Sequence, residues 1–348
     1  MLRFHSSQRA ATAVMLGALS LTAPARADTP ADFYRGKTIT VIVGFGAGGG
    51  FDLYARLVAK HLGRHIEGKP NFVVKNMPGA GGRIAADFMT NVATQDGTFI
   101  AFLPSAIVVD QLLDPRENRF DAAKFNWLGR LNDIAQVAVV WHTAPALTVE
   151  AAKEKEVVLA ASSPLNLSAT LPLAFNRMVG TKFKVVPGYT TDMVLAMERG
   201  ETHGVGGTSW EPLRVSHADL VRDNKIRMLY LMGITRNREL PDVRTIVEFG
   251  ETEEDRQVFR LLGSISDIGR ALVGGPHIPV ERARVLRDAI ALLVKDAAFV
   301  ADADRLGLGL NYLPGEALKA IVDDLNASPK SVIEKTKSVT SPQQEKSR

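Results

Sequence analysis

An α/β fold in two lobes follows from the sequence on three grounds. The chain has 348 residues, more than the roughly 250–300 at which a single core stops growing. Apolar, β-branched runs alternate with amphipathic helical stretches, which implies parallel strands covered on both faces by helices. That alternation occurs twice, and after its last strand only helical pattern remains.

The first run, 38–45 (TITVIVGF), is long and apolar enough for a buried parallel strand. Residues 52–65 then place Leu53, Leu57, Val58 and Leu62 on one helical face. Further elements are expected as a strand at 72–75, a helix at 83–93 and a strand at 98–103. A second unit follows, with strands at 134–141, 157–161, 183–186, 205–207 and 228–232 and helices at 169–179 and 191–199. A strand at 270–274 and a helix opened by Pro279 precede two more helical segments ending near Asn326. Helices without a sheet of their own must pack on one already built. The expected division is therefore lobe I from 28–135 plus 268–330 and lobe II from 136–267, with hinge crossings near 130–142 and 262–272. Residues 331–348 are expected to form a flexible tail.

Residues 1–27 stand outside this fold. Arg3 and Arg9 precede an apolar stretch of about 14 residues, against roughly 20 for a bilayer span, and Ala25-Arg26-Ala27 offers a small-x-small cleavage site before Asp28. This predicts a secretory signal peptide and a periplasmic protein. The segment carries three basic residues and no acidic ones, so the formal charge of +4 falls to +1 without it. A nearly neutral body has no basic stripe to meet a phosphate backbone, which argues against nucleic acid as a partner. With no cysteine in the chain, disulfide scaffolds, thiol nucleophiles and Cys-based metal sites are excluded.

The densest chemical signal is Gly44-Phe45-Gly46-Ala47-Gly48-Gly49-Gly50-Phe51-Asp52, between the first strand and the first helix. So little side chain leaves backbone N–H groups open at a helix N-terminus, where the dipole favours an anion such as a carboxylate; Asp52 can cap that helix. A tight turn alone would need fewer glycines. Gly44, Gly46 and Gly49 also match G-x-G-x-x-G, but the dinucleotide fingerprint needs an acid after the second strand, and Lys75-Asn76 stands there. A second loop, Asn76-Met77-Pro78-Gly79-Ala80-Gly81-Gly82, holds the corresponding place after the second strand. In a parallel sheet both loops emerge at the same edge and can form one pocket wall.

These strings, with Tyr34-Arg35-Gly36-Lys37-Thr38-Ile39 before them and Asp96-Gly97-Thr98 after them, resemble the solute-binding proteins of tripartite tricarboxylate transporters, the Bug or TctC-like family. Met197-Glu198-Arg199-Gly200-Glu201 and the run 238–245 extend the similarity over most of 33–320. The resemblance implies a periplasmic two-lobed fold of the type II Venus-flytrap kind, with two hinge crossings. It implies no cofactor, no catalysis, a small organic carboxylate as ligand, membrane permease subunits as partners, and a monomer. Its first-lobe site falls on Gly49, Gly50, Phe51, Asp52, Pro78, Gly79, Ala80 and Gly81, with Ser105 after the third strand. Second-lobe candidates are Ser162, Ser163, Asn166, Ser168, Tyr189, Ser209 and Trp210. The chain departs from the family pattern at Phe51, where a small hydroxyl residue is usual, and at Pro187-Gly188-Tyr189, where Pro-Tyr-x-Gly is commoner. The aromatic side chains of Phe51, Tyr189 and Trp210 point to an aromatic or long-chain carboxylate rather than citrate.

Other chemistries fit less well. His61 and His65 are four apart on a helix, but Leu62 replaces the Glu of H-E-x-x-H and no third ligand is placed by sequence, so they read as a solvated pair. Neither G-x-S-x-G nor S-x-x-K occurs, and Trp141, Phe175 and Tyr230 sit in apolar runs as core. Two alternative functions share the glycine loop: a soluble dinucleotide-dependent enzyme, and a carboxylate receptor that reports to a sensor kinase. With no basic residue from 44 to 82 except Arg56, Lys60, Arg64, Lys69 and Lys75, none of them inside either loop, backbone amides are expected to hold the carboxylate. Gly49→Val and Gly79→Val are then each expected to abolish binding without unfolding.

Overall fold

The computed structural model describes residues 30–164, 166–189 and 193–341; the expected signal peptide lies outside them. A short helix, α1 (Pro30–Tyr34), leads into β1 (Thr38–Val43), buried from Ile39 onward. The chain continues through α2 (Gly50–His61), β2 (Asn71–Asn76), α3 (Arg83–Asn91), β3 (Phe99–Phe102), α4 (Ala106–Leu113) and β4 (Asn126–Arg130). It then crosses into β5 (Gln136–Trp141), β6 (Val157–Ala161), α5 (Leu167–Met178), β7 (Phe183–Pro187), α6 (Met193–Glu198) and β8 (Gly204–Ser209). Two short helices, α7 (Trp210–Ser216) and α8 (Ala218–Arg222), precede β9 (Ile226–Leu231) and the long α9 (Glu253–Ile268). The return comprises β10 (Ala271–Gly274), α10 (Val280–Leu293), α11 (Ala297–Arg305), β11 (Leu313–Pro314), α12 (Gly315–Asn326) and α13 (Lys330–Thr340).

Two sheets result. The first has the order β11-β4-β10-β3-β1-β2 and the second β7-β6-β8-β5-β9. Both are mixed, where the sequence pattern suggested parallel strands alone. β1, β2 and β3 run parallel, but β10 is antiparallel to β3 and to β4 because it enters the first sheet from the second lobe. β5, which carries the chain the other way, is likewise antiparallel to β8 and β9. The first sheet is sandwiched between a core with Tyr54, Val58, Phe102 and Leu286 and another with Met89, Val108, Trp127 and Leu318.

Two crossings are hydrogen-bonded to each other. Leu131 donates its N–H to the Arg270 carbonyl at 3.1 Å, Arg270 to Asn132 at 2.8 Å, and Ile134 to Ser266 at 3.0 Å. Gly269 lies at φ +54°, and a Cβ there would stand 2.5 Å from the Asn132 carbonyl oxygen. Only glycine lets the two crossings run this close.

A flexible tail is expected over 331–348; residues 342–348 lie outside the described residues, and before them the structure differs. Residues 330–340 form α13, which packs on the second lobe, where Val332 and Val339 join the core of Phe175, Tyr230 and Phe259. Its period is plain once the partner exists, with Val332, Thr336 and Val339 on one buried face. Since α12 packs on β4 and α13 on α5 and α9, the link between them is a third crossing between lobes.

Candidate functional site

β1, β2 and β3 end in register, with Val43 opposite both Asn76 and Phe102, so the two glycine loops and the turn before α4 leave one sheet edge side by side. Pro104 locks them together. A Cβ on Gly44 would meet its Cδ at 2.8 Å, and one on Gly82 its Cγ at 2.3 Å. Those two glycines make room for the proline, whereas Gly46, Gly48, Gly49 and Gly81 face space empty within 4 Å of where a Cβ would be.

Gly49 is the N-cap of α2, with extended backbone and no side-chain cap, so no capping side chain takes up the N–H groups of the first turn. The second loop has positive φ at four successive residues, Gly79 (+132°), Ala80 (+46°), Gly81 (+64°) and Gly82 (+92°). Ala80 is the costly member, since a Cβ in the left-handed region is disfavoured by about 1–2 kcal/mol.

Asp52 is one of the residues singled out for ligand contact, and its geometry gives it another task. Its side chain is buried, with Oδ2 accepting from Gly48 N at 2.8 Å and Arg56 Nε at 2.9 Å, and Oδ1 from Asn76 Nδ2 at 3.0 Å. Asn76 also donates to the Phe45 carbonyl at 3.1 Å. The carboxylate thus ties the first loop to the end of β2. The Arg56 hydrogen bond, with those from Gly48 and Asn76, holds the Asp52 carboxyl below its ordinary range despite burial. A lowered folded-state value means that the tie is complete above the unfolded value of about 3.9 and is lost as pH falls through the folded one. Thermal melts at pH 7, 5 and 3 should therefore show Asp52→Asn less stable than the wild type at pH 7 and 5, with the difference closing on further acidification.

The other sequence candidates divide. Phe51 packs its ring 4.3 Å from Phe45 and 6.5 Å from Phe102, half-buried against the core; Phe45, 36% exposed, is the aromatic at the loop surface. Pro78, Gly79, Ala80 and Gly81 are exposed on the second loop, and Ser105 is buried at the start of α4. In the second lobe, Asn166 caps α5 by accepting from Ser168 N, and the buried Ser168 hydroxyl accepts the Ser162 N–H at 3.2 Å. Ser163 lies in the same turn and Tyr189 is half-buried after β7. Ser209 caps α7 by position. Trp210 is 6% exposed in a core with Val137 and Leu213, its indole N–H donated to Glu239 at 2.6 Å. Two of the three rings that argued for an aromatic ligand are therefore occupied in packing.

The cleft floor holds groups that the sequence reading did not single out. Arg270, at the entry to β10, lies beside the first turn of α2, and Glu211 reaches it from the second lobe. Asn132 donates to Glu211 at 2.8 Å. A cavity of about 160 Å³ opens here, bounded by Asp133, Trp210, Glu211, Arg238 and Gly309. A second cavity, of about 330 Å³, lies between α4, the start of α5 and α9, bounded by Val109, Asp110, Gln136, Asn166 and Leu262. Burial raises the Asp110 carboxyl above its ordinary range. The histidine pair serves packing: buried His61 meets Asp302 at 2.8 Å and His65 meets Asp296 at 2.8 Å, fastening α2 to α11 and its N-cap. Among the described residues no helix is long and apolar enough to cross a membrane.

No protein-family model matches the chain. It is 30% identical over 261 residues to the UPF0065 protein in gbd 5'region of Cupriavidus necator, covering 72% of this chain and 75% of that one. It is 26% identical over 251 residues to Protein BugT of Bordetella pertussis, covering 69% and 74%. Among solved structures, a TctC solute-binding protein from Polaromonas superposes with a TM-score of 0.67 at 24% identity, over 87% of this chain and 99% of the other. Rpa4515 of R. palustris with adipate gives 0.58 at 19% identity over 86% and 97%. MatC from Rhodopseudomonas palustris with bound malate gives 0.55 at 18% over 88% and 99%.

Proposed function

The chain belongs to the UPF0065 family, with the Bug protein BugT among its relatives, and on that premise we propose that it is a periplasmic solute-binding protein, not an enzyme, which captures an organic carboxylate between its lobes for delivery to a tripartite membrane transporter. The observation that carries this reading is the pair of glycine loops side by side at one sheet edge, with Glu211 of α7 reaching toward the first of them through Arg270. Unsubstituted amides at a helix start supply hydrogen bonds and positive potential to a carboxylate. A ligand touching both lobes favours the closed arrangement by its differential affinity, and a permease can distinguish that arrangement from the open one. In this proposal the protein is exported to the periplasm, with cleavage before Asp28, and acts as a monomer.

A dinucleotide is disfavoured by the same geometry. The residue at the end of β2 is Asn76, hydrogen-bonded to Asp52 and Phe45, where a ribose would need a carboxylate.

A thermal-shift screen of organic acids on protein beginning at Asp28 tests the reading. Adipate and malate belong in it because two structural relatives hold them. A ligand at 100 times its dissociation constant should stabilise the fold by about 2.7 kcal/mol. Flat melting curves across mono-, di- and tricarboxylates, with a shift for a dinucleotide, would reverse the proposal.

A further inference from the structure

Arg270 sits where the two crossings meet, its side chain 13% exposed beside the cavity that Asp133 and Glu211 line. Nη1 donates to the Asp133 carbonyl at 3.0 Å, and the group lies 4.9 Å from the centre of the Tyr54 ring. Nη2 is 3.4 Å from Glu211 Oε2, a long contact for a charged pair. Nε is buried and has no hydrogen-bond partner. A guanidinium offers five N–H donors, so this one is held with much of its capacity unmet, an arrangement that costs stability unless an acceptor arrives.

Its orientation is equally telling. A Cβ on Gly50 would stand 3.5 Å from Nη2 and 3.7 Å from Nε, so the Nε–Nη2 edge, the fork that grips a carboxylate through two parallel hydrogen bonds, faces the first turn of α2. Two positive features adjoin there. Among the described residues the carboxylate contacting the fork is that of Glu211, and its other oxygen is held by Asn132 at 2.8 Å.

We infer that Arg270 is the charged anchor for the ligand's carboxylate and that Glu211 is a built-in carboxylate which the ligand displaces from it. The inference rests on the carboxylate-binding reading of the cleft and adds a named side chain to it. Glu211 comes from α7 in the second lobe, whereas Arg270 belongs to the hinge. In the ligand-free protein the pair neutralises the fork, and a bound acid takes over that role while touching the amides of α2. Like charge between Glu211 and the ligand then sets a penalty on binding that removal of the Glu211 charge relieves.

The test is calorimetric titration of the wild type, Arg270→Gln and Glu211→Gln, all beginning at Asp28, with adipate, malate and benzoate as probes and melting curves as a check on folding. For whichever acid the wild type binds, Arg270→Gln should lose affinity about a hundredfold, and Glu211→Gln should gain it roughly tenfold. A gain is something a damaged fold does not give, so the Glu211→Gln result decides if Arg270→Gln proves unfolded. Wild-type affinity in a folded Arg270→Gln protein overturns the anchor while leaving the amide site standing. Weakened binding in Glu211→Gln overturns the displacement, since the pair would then merely tie the lobes. If the wild type binds none of the three acids, the carboxylate reading falls and the anchor with it.

Discussion

Protein carrying Gly49→Val is expected to fold and melt within about 1 kcal/mol of the wild type and to bind its carboxylate about a thousandfold more weakly. Gly49 has φ −81° and ψ 172°, an extended conformation open to any residue, and a Cβ there meets nothing within 4 Å. The backbone therefore accepts the substitution. The N-cap side chain, however, occupies the place from which Ser or Asp normally bonds the N–H groups of the first turn. Valine covers those donors with hydrocarbon. Gly49→Asp makes a sharper companion, because an aspartate there satisfies the same amides from within the chain and repels an incoming anion. It should raise stability by a few tenths of a kcal/mol while also abolishing binding. Melting curves and calorimetry on the two variants check both halves, and retained affinity in either would show that the carboxylate does not sit at the start of α2.

Gly79→Val no longer stands beside it as an equal. At φ +132°, with Ile84 Cδ1 2.5 Å from the position of a Cβ, that variant strains the loop itself, and loss of binding would report distortion as much as a blocked site.

What the sequence could show depended on whether the cause of a structure is local. β1 and both glycine loops were legible because a buried parallel strand needs a continuous apolar run and an open helix start needs missing side chains. β4 (NWLGR) reads as nothing in particular, since Asn126, Gly129 and Arg130 break any pattern; it is a strand because β10 and β11 flank it. The functional side chains divide in the same way. Asp52, Phe51 and Trp210 are at the site in sequence, but their polar or aromatic groups are claimed by Arg56 and Asn76, by Phe45, and by Glu239. Arg270 stands far along the chain from either loop and reaches the first only through the antiparallel pairing of β10 with β3. Its one local signal is a Gly-Arg pair at the entry to an apolar strand.

Removal of residues 330–348 is expected to destabilise the second lobe by about 5 kcal/mol, a large fraction of what a domain of this size possesses. Val332, Thr336 and Val339 are each at most 6% exposed under α13, and their loss opens the core around Phe175 and Phe259 to water. Lys335 bonds Glu254 at 2.9 Å and Asp255 at 2.8 Å, and Arg177 donates to the carbonyls of Ser338 and Val339. Without α13 the Lys335 partners at the start of α9 face each other as like charges. The damage should fall mainly on the second lobe: the first sheet keeps its strands' pairing, while α5 and α9 lose the helix that covers them and α4 loses a smaller contact. Hydrogen exchange on the truncated protein should then show lost protection in α5 and α9 and retained protection in β1 and β3. Val332→Ala is the milder form, expected to cost roughly 1–3 kcal/mol with the same pattern. Because α13 also supplies the third crossing between lobes, the truncated chain should close and open more freely about 131–135 and 269–270, and scattering should find a larger radius of gyration without ligand. Unchanged exchange in α9 would mean that α13 merely rests on the second lobe and neither completes its core nor restrains the hinge.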